Sequence, residues 1–252
     1  MYIKCFILLA NMKIIQSFFL FLLFSIVYGC SNGTDVSSLC FEKEYYEKPL
    51  LENPSEIMFS GGSNNLSVEV SDDNVLEATI GAGKIKIKTK KNGIVYLVVK
   101  DKTENTSVTI RVKVVDSYLG LQLGHPIPNY SVYNEDDRLY LVNDKSKSFY
   151  LYDKSFNLKA TGNYKLFVKN SIFFLSLVFS DKVCFYNISN SSHDFLWGAI
   201  PTYLKFLWTN EGLTTTNARD VSPVVMTAFD LDTNNVYYFN VDSTEFPYGI
   251  LN

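Results

Sequence analysis

Apolar and polar residues alternate strictly in three segments between residues 66 and 114. Alternation with period two predicts β-strands that have one buried and one solvated face. A fourth segment, residues 93–99, is apolar on both faces, which is typical of a central strand. Turn-forming pairs such as Asn92-Gly93 separate the segments. We therefore predict a small β-sandwich over residues 50–116. The alternating apolar residues are Leu66, Val68 and Val70, then Ile85 and Ile87, then Val108, Ile110, Val112 and Val114.

The order of these segments resembles the bacterial immunoglobulin-like group 2 family. The matching stretches are residues 71–78, 84–88, 92–93 and 98–101. The matched residues are turns and core positions, so the resemblance implies an immunoglobulin-like sandwich and carries over no functional residue. In that family such domains are spacers or adhesion modules of bacterial surface proteins, and the resemblance implies a similar surface role here.

Residues 117–252 form an aromatic-rich region that we also predict to be mostly β, which makes the whole chain all-β. One helix is predicted to begin near Pro201, because proline fits the first turn of a helix, and it would place Tyr203, Phe206 and Leu207 on one face. We expect a second sandwich or a set of stacked hairpins, with propeller-like hairpins as an alternative, although the region is too short to close a propeller. The predicted strands are 138–143, 148–153, 171–180, 182–188, 224–231 and 235–241.

An almost continuously apolar segment, residues 14–28, lies near the N-terminus. As a helix it would be about 22 Å long, which is shorter than the roughly 30 Å hydrocarbon core of a bilayer. With Lys13 before it, the segment is typical of a signal-peptide hydrophobic region. We therefore predict a signal peptide over residues 1–29, with Met12 as an alternative start.

This segment ends in Val27-Tyr28-Gly29-Cys30, which resembles a bacterial lipoprotein signal peptide. In that pattern a small residue precedes a cysteine that is acylated and becomes the mature N-terminus. Gly29 and Cys30 match, whereas Tyr28 is bulkier than the pattern prefers. The resemblance implies a lipid on Cys30, a tether over residues 30–49 and an outer-membrane location. The alternatives are an ordinary secretory signal, with Cys30 in a disulfide, and an uncleaved anchor.

Composition limits the partners of the chain. A net charge of −3 gives no electrostatic footprint for nucleic acid, and we predict none as a partner. With 252 residues, of which 47% are hydrophobic, the chain is long enough for two globular domains. If Cys30 is acylated, Cys40 and Cys184 are too few for a disulfide scaffold, and we predict that Cys184 is a buried thiol.

The sequence offers little catalytic chemistry, and we predict no enzyme, no cofactor and no metal. His125 and His193 both lie in predicted loops, and Ser192-His193-Asp194 are adjacent in sequence, unlike triads assembled from separate elements. Residues 230–234 carry oxygen ligands at alternate positions, as calcium loops do. They lack the glycine and the glutamate that such a loop needs at its sixth and twelfth positions. We interpret this segment as a hairpin turn.

Trp197, Tyr203 and Trp208 are candidates for glycan stacking, because flat aromatic rings can pack against sugars. Their apolar neighbours, such as Phe195-Leu196, equally suit a hydrophobic core. Exposure of more than half of either tryptophan beside a groove would favour stacking.

Three functional hypotheses follow. The first is a non-enzymatic cell-envelope lipoprotein of the Bacteroidetes type, in which the immunoglobulin-like domain presents the second domain for adhesion or interaction. The second is a glycan-binding surface lipoprotein that uses exposed aromatic residues. The third and least favoured is a hydrolytic or peptidoglycan-remodelling enzyme. The predicted partners are the membrane, through the lipid anchor, and a surface protein or glycan.

Overall fold

The computed structural model describes residues 38–124, 133–208 and 224–251. Its first unit is a sandwich of two four-stranded sheets, with the strand orders β1-β3-β6-β5 and β2-β8-β7-β4. In chain order the strands are β1 (Cys40–Phe41), β2 (Tyr45–Pro49), β3 (Ser55–Ser60), β4 (Leu66–Val70), β5 (Leu76–Gly81), β6 (Lys84–Thr89), β7 (Gly93–Asp101) and β8 (Thr106–Val115).

The core of this sandwich is made by the alternating residues that the sequence pattern identified. Ile85 and Ile87 of β6 face Leu97 and Val112 of the opposite sheet, and all four are fully buried. Their polar neighbours in sequence, such as Lys86, remain exposed. The pattern is therefore explained by two sheets that each bury one face.

The sandwich begins before the predicted boundary at residue 50. The strands β1 and β2 lie within the segment that the sequence analysis assigned to a tether, and β2 pairs in parallel with β8. Tyr46 is buried in the core, and its neighbours Glu47 and Lys48 are buried as well. Two adjacent charged residues predict a solvated segment. Here they are instead covered by the second unit, so the tether assignment is wrong for residues 40–49.

The second unit is a closed eight-stranded antiparallel barrel, in which each strand pairs with the next and the last returns to the first. The all-β fold class is thus confirmed. The expected hairpins do form, but they join into a single closed sheet instead of two packed sheets or propeller-like blades. The strands are β9 (Tyr118–Leu123), β10 (Arg138–Val142), β11 (Ser148–Tyr152), β12 (Leu158–Lys169), β13 (Ile172–Val178), β14 (Val183–Asn187), β15 (Val225–Asp230) and β16 (Val236–Asp242).

A helical segment follows β14 and packs on the barrel core. It consists of a π-helix, Asp194–Ala199, and an α-helix, Ile200–Leu204, with Pro201 in its first turn. The predicted helix near Pro201 therefore exists, but it ends at Leu204. Leu207 lies beyond it and is 75% exposed, so the predicted helical face with Phe206 and Leu207 does not form.

Candidate functional site

The two β units meet at a junction that contains an open groove of about 730 Å³. The sandwich contributes Lys43, Glu44 and Tyr45, which precede or begin β2. The barrel unit contributes Phe156, from the turn between β11 and β12, and the segment Glu245–Tyr248 after β16. We call this site the junction groove. Its wall is mainly apolar and carries a few charged side chains.

The segment that follows β16, residues 243–251, is here called the C-terminal strap. Its Phe246 is buried on the outer wall of the barrel. Four tyrosine rings surround the Phe246 ring, with centroid distances between 4.9 and 6.0 Å. The backbone N–H of Phe246 also donates to one of the four hydroxyls, at 3.0 Å. Phe246 thereby fixes one side of the groove. The four tyrosines are Tyr118, Tyr140, Tyr150 and Tyr152.

Polar contacts attach the C-terminal strap to the sandwich. The carboxylate of Glu245 lies 3.4 Å from the Lys48 ammonium and 3.6 Å from that of Lys43. The backbone N–H of Gly249 donates to Glu47 Oε1 at 2.9 Å. The charges of Glu47 and Lys48, although buried, are therefore partnered, as buried charges must be. Burial opposes ionisation of Glu245, but the hydrogen bond from Tyr248 and the two lysines hold the pKa of its carboxyl below its usual value.

Two tyrosine rings in the groove are held in place by carboxylates. The Tyr45 hydroxyl donates to Glu47 at 2.5 Å, and the Tyr248 hydroxyl donates to Glu245 at 2.7 Å. The two rings meet edge to face, with centroids 5.8 Å apart. Burial, together with the hydrogen bond to Glu47, raises the pKa of Tyr45 to about 12. Both rings are therefore fixed, and Tyr45 is neutral at physiological pH.

Phe156 supplies a third ring to the junction groove. It is 39% exposed, and the guanidinium carbon of Arg138 lies 4.6 Å from the centre of its ring. Its backbone φ is 61°, a left-handed conformation that is uncommon for a bulky residue. The groove residues did not stand out in the sequence. The available signal was the alternation at Tyr45-Tyr46, where one ring faces outward and the next faces the core.

The structure does not build a stacking platform from Trp197, Tyr203 and Trp208. Trp208 is 5% exposed, and its indole N–H donates to the carbonyl of Leu196 at 2.8 Å. Trp197 and Tyr203 are partly buried and pack against the barrel core, with the Trp197 ring edge-on to Phe173. Neither tryptophan is more than half exposed: Trp208 belongs to the core, and Trp197 and Tyr203 pack against it.

The segment Ser192-His193-Asp194 begins the helical segment and is not arranged as a catalytic triad. The Ser192 hydroxyl accepts backbone hydrogen bonds from Phe195 and Val225. His193 Nδ1 lies 3.4 Å from the neighbouring Asp194 carboxylate. Ser192 therefore caps backbone groups instead of facing the imidazole. The other histidine, His125, lies outside the described residues.

Asp230 closes the turn between β15 and β16, which confirms the hairpin interpretation of residues 230–234. Its carboxylate accepts the backbone N–H groups of Asp232 and Thr233. Within the described ranges, no group of three or more histidine, cysteine and acidic residues is placed to hold a metal.

Cys184 is buried, as predicted, and burial raises the pKa of its thiol. Cys30 lies outside the described residues.

The chain has weak similarity to solved structures of surface-layer proteins. No protein-family model matches the chain, and no curated protein matches it. Among solved structures, the chain is similar to domains 4–9 of the surface layer protein SbsC, at 10% identity and a TM-score of 0.27, over 84% of this chain and 28% of that one. It is also similar to domains 5–6 of the S-layer protein SbsC, at 11% identity and a TM-score of 0.26, over 82% of this chain and 98% of that one.

The predicted signal peptide and the predicted acylation site at Cys30 lie outside the described residues. Among the residues that the structure does describe, no helix is long and apolar enough to cross a membrane.

Proposed function

We propose that this chain is a non-enzymatic, lipid-anchored protein of the cell envelope that binds its partner at the junction groove. The main support for this proposal is the groove itself. It contains accessible aromatic rings from both units, and the carboxylates of Glu47 and Glu245 hold two of them, Tyr45 and Tyr248, in place. Pockets of several hundred Å³ with a mainly apolar wall and a few fixed polar groups are typical ligand sites. Adhesion or interaction is the role that such a site serves in a surface protein.

The charged groups of the groove support binding over catalysis. General acid–base catalysis works best with a group whose pKa lies near the operating pH. The pKa of Tyr45 is raised to about 12, and that of Glu245 is held below its usual value. Lys43 and Lys48 are both engaged by Glu245. These side chains therefore favour a role in holding and orienting a ligand.

The envelope location is supported by the leader, which resembles a lipoprotein signal peptide ending at Cys30. An acylated Cys30 would be followed by a short segment before the fold begins near Leu39, which is buried in the sandwich core. Even fully extended, that segment would span only about 30 Å. The sandwich would therefore lie close to the lipid surface, and the proposed location is the outer membrane.

The anchor is tested by replacing Cys30 with serine. We expect the Cys30→Ser protein to lose its fatty acid and to leave the membrane fraction, because a single hydroxyl cannot take the place of several buried acyl chains. The measurement is metabolic labelling with a fatty acid, followed by fractionation. Cys40→Ser is the matched control and should stay labelled and membrane-bound. Equal retention of the native and Cys30→Ser proteins, with no label in either, would refute the anchor.

A further inference from the structure

We infer that the junction groove extends into a row of side chains across the outer face of the sandwich, and that this row binds a neutral glycan chain. The inference rests on the proposed function and names the ligand class for the same site. We define the tyrosine row as Tyr96, Arg111, Tyr45 and Tyr248, in that spatial order. Its last two members line the junction groove.

The strand register makes the row continuous. Tyr96 of β7 lies opposite Arg111 of β8, and Arg111 lies opposite Tyr45 of β2. Directly paired residues project from the same face of a sheet, and neighbouring strands lie about 4.8 Å apart, so Tyr96 and Tyr45 are separated by roughly 10 Å. The Arg111 guanidinium lies 5.1 Å from the centre of the Tyr45 ring, and the Tyr248 ring is 5.8 Å beyond that ring.

The row is accessible at its far end. Tyr96 is 50% exposed, and Arg111 is exposed beside it, whereas their sequence neighbours Val95 and Val112 are buried in the core. Single exposed aromatic residues are common on protein surfaces. An exposed ring that strand register places in line with a second ring, with one arginine between them, is a larger feature. It suits a ligand longer than the groove.

The charges along the row favour a neutral ligand with many hydroxyl groups. Four cations and three carboxylates lie within it or directly beside it, so neither a polyanion nor a polycation meets a surface of one sign. A sugar hydroxyl both donates and accepts hydrogen bonds and can use both kinds of charged group. The C–H groups on the face of a sugar ring pack well on an aromatic face, which carries partial negative charge. The cations are Lys43, Lys48, Arg111 and Lys113, and the carboxylates are Glu44, Glu47 and Glu245.

The sheet pairing disfavours a peptide added as an extra strand. Tyr96 and Arg111 lie on β7 and β8, which are the two inner strands of their sheet. The backbone groups of these strands are paired with neighbours on both sides, and strand addition needs an exposed sheet edge. A ligand on the row therefore meets side chains. A proline-rich peptide could use the same rings, and it is the competing outcome of the test.

The test measures binding of the detergent-solubilised full chain to an array of neutral and acidic oligosaccharides and to an immobilised polyproline peptide. Tyr96→Ala changes an exposed ring outside the junction, so the fold should be retained. We expect at least one neutral oligosaccharide to bind, and its Kd to rise about tenfold in Tyr96→Ala, since a tenfold change corresponds to about 1.4 kcal/mol, which lies within the range for one aromatic contact. Tyr238→Ala is the matched control on the barrel, where Tyr238 is 40% exposed, and its Kd should stay within about twofold.

The remaining outcomes overturn the glycan assignment. Preference for acidic oligosaccharides, failure of every oligosaccharide to bind, or a neutral glycan bound equally well by Tyr96→Ala would each do so. Polyproline binding that is weakened in Tyr96→Ala, without glycan binding, would reject the glycan but retain the proposed interaction site. Failure of the lipid anchor would appear separately, in the Cys30→Ser fractionation.

Discussion

Replacing Phe246 with alanine should lower the free energy of unfolding by about 3–5 kcal/mol, the range observed when a buried phenylalanine is truncated. Phe246 is 3% exposed and lies among four tyrosine rings that belong to strands of the barrel. The cavity left by its ring could not close easily, because neighbouring Tyr140 is itself fully buried. The substitution should also release the C-terminal strap, and with it the contacts of Glu245 and Gly249 to the sandwich.

This prediction is measured by urea unfolding, followed by tryptophan fluorescence, because Trp197 and Trp208 both pack against the barrel core. Phe156→Ala is the matched control. Phe156 is another phenylalanine of the same junction, but it is 39% exposed, and its loss should cost about 1 kcal/mol or less. Similar losses for the two variants would show that Phe246 does not hold the strap.

Replacing Gly162 with alanine should be nearly as damaging, although it adds a single methyl group. A Cβ atom at this position would lie 2.0 Å from the carbonyl oxygen of Val178 and 2.7 Å from the ring of Phe149. The first of these neighbours is backbone of the adjacent strand β13, so it cannot move without breaking the barrel wall. We expect a loss of about 3 kcal/mol or more, at the upper end of overpacking costs.

Gly198→Ala provides the control for this substitution, because a Cβ atom there would have no neighbour within 4 Å. Gly198 lies in the π-helix, and alanine is a better helix former than glycine, so this variant should be as stable as the native protein or slightly more so. Thermal unfolding of the three proteins is the measurement. A Gly162→Ala protein with native Tm would contradict the close approach of β12 and β13 at this point.

The strands of the sandwich were largely predictable. Each sheet buries one face, so apolar and polar residues alternate along its strands. Strand β12 of the barrel was not predicted. Its Gly162-Asn163 pair is typical of a turn, whereas here the glycine is required by the close approach of the adjacent strand. Strand β2 was missed for a different reason. Its charged residues Glu47 and Lys48 are buried only because the second unit covers them.

The junction groove could not be predicted from local sequence. It forms where residues 43–48 meet residues 245–249, and the contact between Glu47 and Gly249 joins positions 202 residues apart. No local periodicity encodes such a pairing. Trp197 and Trp208 were selected by residue type, but tertiary packing decides whether a ring becomes core or surface. Tyr45 and Tyr96 are ordinary strand residues in the sequence, and strand register places them in one row.

Hydrogen exchange tests most directly whether the junction groove and tyrosine row form the binding site. Exchange would be recorded for the full chain in detergent, with and without the neutral oligosaccharide that binds it most tightly on the array. We expect bound oligosaccharide to slow exchange in residues 43–48, 94–98 and 245–249 and to leave the barrel strands 172–187 unchanged. Slowed exchange confined to residues 172–187, with no change at the junction, would contradict the proposed site.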